Sequence, residues 1–295
     1  MQKEILLFFV NISNPVLDFI ANFSSLFGEQ TLLILILSIV MYTYDKNKGF
    51  AICGSLVISL VSMGVLKAIF KFPRPFTVLD EIKGKRLSTA TGYSFPSGHT
   101  TGAASLYSSL AFAVKKRIVS IFCAIIIVLV GLSRLYLGVH WPLDVEVGLI
   151  LGILLSMIFY PIFETISKSL ESKFKISLII GISTSIIALV LSSLLQADKI
   201  DPTAFSDLMK TLSFSAGGFL GIAYETKKIN FTVSGTTKQK ILRVVIVLLG
   251  MLIIQVGLGY IISESIYYIG AFVRYIIIGL WLTAAFPKIF SSLFK

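Results

Sequence analysis

Two histidines, His99 and His140, each sit in a short polar cluster between long apolar stretches. Imidazole is the side chain best suited to exchange protons or attack an electrophile near neutral pH. Around them run Phe95-Pro96-Ser97-Gly98-His99 and Ser133-Arg134, the latter followed by His140 and Asp144, and upstream lie Lys67 and Arg74-Pro75. If the segment after Pro142 is helical, Asp144 falls beside His140. Its carboxylate can then fix one ring nitrogen and leave the other free to attack. Lys67, Arg74 and Arg134 are cations, and Ser97-Gly98 precedes an apolar segment whose first amides would bind an anion. Together these groups describe chemistry on a phosphate. Taken singly, each has a plainer explanation: snorkelling anchors for Lys67 and Arg74, a helix cap for Ser97, a structural hydrogen bond for His140 and Asp144.

The elements that position them are set by composition. Hydrophobic residues make up 56% of the 295, charged residues 14%, and the mean hydropathy is +0.90. That is the profile of an integral membrane protein, not of a soluble domain. The 26 Lys and Arg against 15 Asp and Glu, net +11, fit basic cytoplasmic loops and anionic lipid, and nucleic acid is not an expected partner. Cys53 and Cys123 lie in apolar sequence without metal-ligand spacing, so neither a disulfide nor a metal site is expected. The N-terminus lacks the pattern of a cleavable signal. In residues 1–28, Val16, Leu17, Ile20, Phe23 and Phe27 form an apolar face and Asn14, Asp18, Asn22 and Ser25 a polar stripe, which suits an interfacial amphipathic helix; an irregular span from Ile5 to Phe27 is the alternative.

About nine apolar segments follow, near 29–44, 49–70, 99–114, 118–133, 144–164, 177–195, 207–224, 241–262 and 267–287. The expected fold is all-α, a polytopic transmembrane helical bundle. The basic runs Lys46–Lys48, Lys115–Arg117, Lys168–Lys175 and Lys227–Arg243 all fall on one side of it, the cytoplasmic side by the positive-inside rule. Lys71–Gly98, Arg134–Asp144, Asp198–Asp207 and Ser263-Glu264 fall on the other, so all the polar motifs meet at the extracytoplasmic face. Pro73 and Pro75 should end the second span, leaving Lys67 near its outer end and Arg74 in the turn beyond. Gly148/Gly152 and Gly217/Gly221 have spacings that permit close helix approach within the chain.

Lys67-x6-Arg74-Pro75, Pro96-Ser97-Gly98-His99 and Ser133-Arg134-x5-His140-x3-Asp144 resemble, in order and in full, the three-part signature of the type 2 phosphatidic acid phosphatase superfamily. The resemblance implies a phosphatase core over 29–164, with 165–295 as a C-terminal extension of about four helices in the same membrane domain. It implies hydrolysis of a lipid-linked phosphate monoester or diphosphate without metal or other cofactor, through a phosphohistidine. His140 would be the nucleophile, Asp144 its orienting partner, and His99 the acid that protonates the leaving oxygen and then the base that activates water. Lys67, Arg74, Ser97, Gly98 and Arg134 would bind the phosphoryl oxygens.

The substrate would be a phosphorylated lipid in the bilayer, and the setting a bacterial cytoplasmic membrane. The nine-span layout resembles the glucose-6-phosphatase and sphingosine-phosphate phosphatase branches, which keeps a soluble sugar phosphate as an alternative substrate; a transporter or flippase is a more distant one. Arg274, embedded in Ala271–Ile276, is a candidate headgroup contact, with snorkelling or pairing to Glu264 as alternatives. The cations Lys83, Lys85 and Arg86 stand in the long loop before the second motif, where capture of an anionic headgroup or simple solvation are the two expectations.

Overall fold

A computed structural model describes residues 1–293, all helix and connecting loop among the described residues. Residues 1–28 form two helices, α1 (Gln2–Asn11) and α2 (Pro15–Leu26), where one was expected. The break is chemical: the Asn14 side chain accepts from the amides of Val16 and Leu17, and Pro15 takes the first helical position, so a new helix starts there. Then come α3 (Gln30–Ile39), which runs on as a π turn to Tyr44, α4 (Lys46–Phe70), the short α5 (Pro75–Val78), α6 (Gly98–Val114), α7 (Arg117–Tyr136) and α8 (Pro142–Ser167). The rest of the chain builds α9 (Leu170–Gln196), α10 (Pro202–Tyr224), α11 (Thr237–Ile261), α12 (Tyr267–Leu280) and α13 (Phe286–Leu293).

Each of the nine apolar segments coincides with a helix, but among the described residues six helices are long and apolar enough to cross a membrane, or seven if the bent pair of α2 and α3 is one broken span. Helix α6, of 17 residues, and α10, which carries Asp207 and Lys210, fall short. The count of nine therefore rests on helices that are polar or short where they are buried.

The chain forms two compact units, 1–34 with 51–161, and 35–50 with 162–295. Residues 35–50 go with the second unit. In the first unit α6 is the central helix. Ser109 shares a 2.7 Å hydrogen bond with Ser55 of α4, and Ser156 of α8 donates to the Ser105 carbonyl at 3.0 Å. Hydroxyl pairs of this kind hold helices where no water competes. A Cβ on Gly152 would come within 2.6 Å of Ala104 Cβ and of the Thr101 carbonyl, so the α6–α8 approach depends on the missing side chain. In the second unit Gly217 and Gly221 do the same for α10 against Ile276 and Thr283.

Candidate active site

Helix α4 ends at Phe70, Lys71 turns with φ 50, and the two prolines carry the chain outward as expected, with Arg74 extended just before α5. Lys67 and Arg74 both turn back onto backbone carbonyls. Lys67 Nζ donates to Tyr93 O and, at 3.3 Å, to Ser94 O. Arg74 donates to Gly92 O and Val139 O at 2.9 Å each and to Thr91 O at 2.5 Å. These cations therefore also brace the loop 91–94 and the turn before His140, which the spacing alone did not reveal. The indole of Trp141 donates to Pro73 O at 2.9 Å, closing the first motif onto the third.

Helix α7 delivers Arg134 in its last turn, and Gly138 then reverses the chain with φ 67; a Cβ there would also lie 2.8 Å from Ile82. His140 follows, 2% exposed, and Asp144 opens α8 at 1%. His140 Nδ1 and Asp144 Oδ2 are 3.2 Å apart, and the same carboxylate oxygen accepts from Ser94 Oγ and, at 2.8 Å, from the Trp141 amide. On the other side of the ring, Arg74 Nη1 stands 3.2 Å from His140 Nε2. Guanidinium has donors only, so Nε2 must present its lone pair and Nδ1 must carry the proton toward Asp144. Burial first, then the charges of Arg74, Lys67 and Arg134, hold this imidazole well below its ordinary 6.5. The ring is neutral at physiological pH, with its basic nitrogen turned toward the cations.

The second motif is tied to the third through the backbone, since the Ser97 amide donates to the Asp144 carbonyl at 2.9 Å. Ser97 caps α6, its hydroxyl oxygen accepting from Thr100 Oγ1 at 2.9 Å and from the Thr100 amide. Capping uses its lone pairs and leaves its own O–H to donate. Gly98 and His99 supply first-turn amides, which have no partner within the helix. A Cβ on Gly98 would meet nothing in the protein closer than Met63 Cε at 3.4 Å, so packing does not demand glycine there. His99 lies close enough to Arg134 and Arg74 to feel their charges, and its Nε2 is buried without a hydrogen-bond partner. Arg134, fully buried, spends Nη1 on Ser25 Oγ of α2 at 2.6 Å and leaves Nε and Nη2 buried without a partner. Buried polar groups are normally satisfied. Unspent donors on a buried arginine beside a neutral, oriented histidine are what an oxyanion would complete.

Thus the eight residues expected to act on the phosphate all lie in the first unit. Arg274 lies in the second, on α12, with its guanidinium 5.4 Å from the Tyr275 ring; no ion pair to Glu264 is found among the described residues. Sequence reasoning missed Ser94 and Ser25. Ser25 stood in the polar stripe of α2, which was the available signal; Ser94 had none. Lys85 and Arg86 are spent on the protein: Lys85 pairs with Asp18, Arg86 with Glu29. Among the described residues no three His, Cys, Asp or Glu side chains group as metal ligands would.

The chain is similar to several known phosphatases over part of its length. Phosphatidylglycerophosphatase B of Bacillus subtilis is 47% identical over 74 residues, 22% of this chain and 36% of its own length. The undecaprenyl-diphosphatase BcrC of the same organism is 27% identical, covering 50% of this chain and 75% of its own. A lipid A 4'-phosphatase of Bacteroides thetaiotaomicron is 27% identical, covering 58% and 81%. The chain thus spans about a third of the first relative and three quarters or more of the other two. Residues 209–295, where the sequence showed no motif, match the transmembrane extension of PAP2 superfamily phosphatases. Residues 48–168, which hold the whole signature, match the PAP2 superfamily itself, and to that superfamily this integral membrane chain belongs.

Proposed function

We propose that the protein hydrolyses a phosphate monoester or diphosphate carried by a lipid, through a phosphoryl group held transiently on His140. The observation that carries this is the His140 ring, neutral and fixed by Asp144 at Nδ1, with Nε2 directed at Arg74. When a phosphate enters, Arg74 Nη1 turns from Nε2 to a phosphoryl oxygen and releases the lone pair. Nε2 attacks phosphorus and the bond to the lipid oxygen breaks. His99, which takes up a proton as the anionic phosphate binds beside it, protonates that oxygen. Water, deprotonated by His99, then attacks the phosphohistidine, inorganic phosphate leaves, and Nε2 regains its lone pair. Arg134 Nε and Nη2, the Ser97 hydroxyl and the amides of Gly98 and His99 meet the charge that develops on the phosphoryl oxygens. Each step is completed by side chains of this chain, so no metal enters it.

The lipid character of the substrate is supported by the relatives, whose names share a phosphoryl group on a lipid, and by an apolar surface around α2 that keeps the first unit in contact with the bilayer. The extracytoplasmic placement of the site rests on the charge asymmetry of the loops, with α6 and α10 counted as spans. The test is phosphate release from a lipid monophosphate, a lipid diphosphate and the matching water-soluble headgroup phosphate, in detergent micelles with excess EDTA. The account expects release from a lipid substrate and little from the soluble analogue. Abolition by EDTA, restored by a divalent metal, would refute the metal-free mechanism.

A further inference from the structure

We propose that Arg274 binds the phosphate of an anionic phospholipid in a notch between α11 and α12 of the second unit. Within the second unit the buried cations Arg243 and Lys173 and the half-buried Lys46 are matched by protein acceptors. Arg243 donates to the carbonyls of Tyr42, Val233 and Ser234, Lys173 to Asn47, and Lys46 to Glu225 and Asn230. Arg274 lies inside the apolar stretch Glu264–Ser291, its Nε is buried with no hydrogen-bond partner, and no ion pair to it is found among the described residues. A guanidinium in a span must find an anion or water, because hydrocarbon offers neither.

The local geometry says where the anion comes from. A Cβ placed on Gly259 would lie 3.1 Å from Arg274 Nη1, so the guanidinium rests against bare backbone of α11, and Gly259 is itself exposed. The notch therefore opens outward, between the exposed apolar side chains Ile253 and Val256 of α11 and Val273 and Ile277 of α12. Arg274 is seven residues from the start of α12, about 10 Å along the axis, and helical side chains lean toward the N-terminus. Gly259 lies two residues from the end of α11, about 3 Å. The charge thus reaches the depth of the headgroups in the leaflet next to the 262–266 turn, while the apolar rim accepts acyl chains. A lipid phosphate satisfies both surfaces; free phosphate satisfies only the cation.

The test counts lipids retained by the full chain in native mass spectrometry, titrated with phosphatidylglycerol or phosphatidylcholine. Wild type is expected to keep one phosphatidylglycerol in preference to phosphatidylcholine. Arg274→Gln should weaken that binding at least about tenfold, the scale of a lost charge-assisted hydrogen bond. Gly259→Leu keeps the charge, favours helix and fills the notch, so it should lose the lipid too, and it carries the test if Arg274→Gln fails to fold. Lys175→Gln, on the exposed side of α9, should retain it. Equal retention by wild type and either notch variant would overturn the proposal, as would displacement of the lipid by millimolar inorganic phosphate. Because the readout is binding, its failure is distinct from a failure of the proposed hydrolysis.

Discussion

At the residue scale, the catalytic reading depends on which nitrogen of His140 carries the proton. A donor-only guanidinium at Nε2 and a carboxylate at Nδ1 leave a single consistent tautomer. With two histidines in the chain, selective isotope labelling gives two imidazoles to follow. The His140 resonance should stay neutral as pH falls through 6.5 and titrate only well below it, because burial and three nearby cations oppose the charged form. The sign carries to stability: the unfolded chain takes up this proton near 6.5 and the folded chain later, so this group's contribution is intact above 6.5 and declines as pH falls below it. Titration at or above 6.5 would remove the argument for a pre-formed nucleophile. Gly98→Ala should fold normally, since a Cβ there meets only Met63 at 3.4 Å, yet lose about 10²-fold in turnover by displacing the bound phosphate; normal turnover would show that no phosphate approaches the backbone there.

His99, His140, Asp144 and the cations stood out as candidates because rare polar residue types at short spacings are conspicuous in an apolar chain. The hydrogen bonds of Ser94 to Asp144 and of Ser25 to Arg134 were not legible, because serine is common and each contact joins residues far apart in the chain.

Helices α2 and α6 carry the argument at the scale of elements. The polar stripe of α2 was legible, but its direction was not. Asn22 and Ser25 accept from Arg86 and Arg134, and Asp18 accepts from Lys85 and Tyr136. Val16, Phe19, Ile20 and Phe23 face outward instead. Hydrocarbon on the outside and ligands on the inside are opposite to a soluble amphipathic helix, and the periodicity is the same in both cases. The partly exposed pairs Lys85–Asp18 and Arg86–Glu29 contribute at most about 1 kcal/mol each. They set the register of α2, while its apolar contacts with α7 and the bilayer hold it.

Ser25→Ala removes the one hydroxyl held by Arg134 Nη1 and should lower kcat by about tenfold with folding intact, as a misdirected guanidinium binds the transition state less well. An unchanged kcat would show that Arg134 is held in place by its burial alone. For α6, Gly152→Leu forces a side chain into Ala104 and the Thr101 carbonyl. The expected cost is about 1–3 kcal/mol, read as a lower thermal midpoint in detergent; an unchanged midpoint would show that α8 can move away freely.

Across the whole molecule, membrane insertion was legible from composition, and each apolar run was correctly read as helix. The division at 35–50 was not, because a break inside a continuous apolar run leaves no mark in hydropathy. Nor was the kinship of 209–295 with a known extension, since apolar helices without polar motifs differ little from one another. The sidedness follows from basic loops and is testable with single cysteines: Cys53 and Cys123 are buried, so an impermeant maleimide reports on introduced sites. In intact cells Ser88→Cys should label and Ser234→Cys should label only after permeabilisation; the reverse pattern would place the histidines on the cytoplasmic side.

The central claim is that His140 takes the phosphoryl group. Rapid denaturation during turnover of a lipid phosphate labelled with ³²P, followed by digestion and mass spectrometry, reads it directly. The account predicts an acid-labile phosphoryl group on the peptide containing His140, absent in His140→Ala, together with a fall in phosphate release of at least about 10³-fold in that variant. Undiminished hydrolysis by a folded His140→Ala protein, or label on His99 alone, would contradict it.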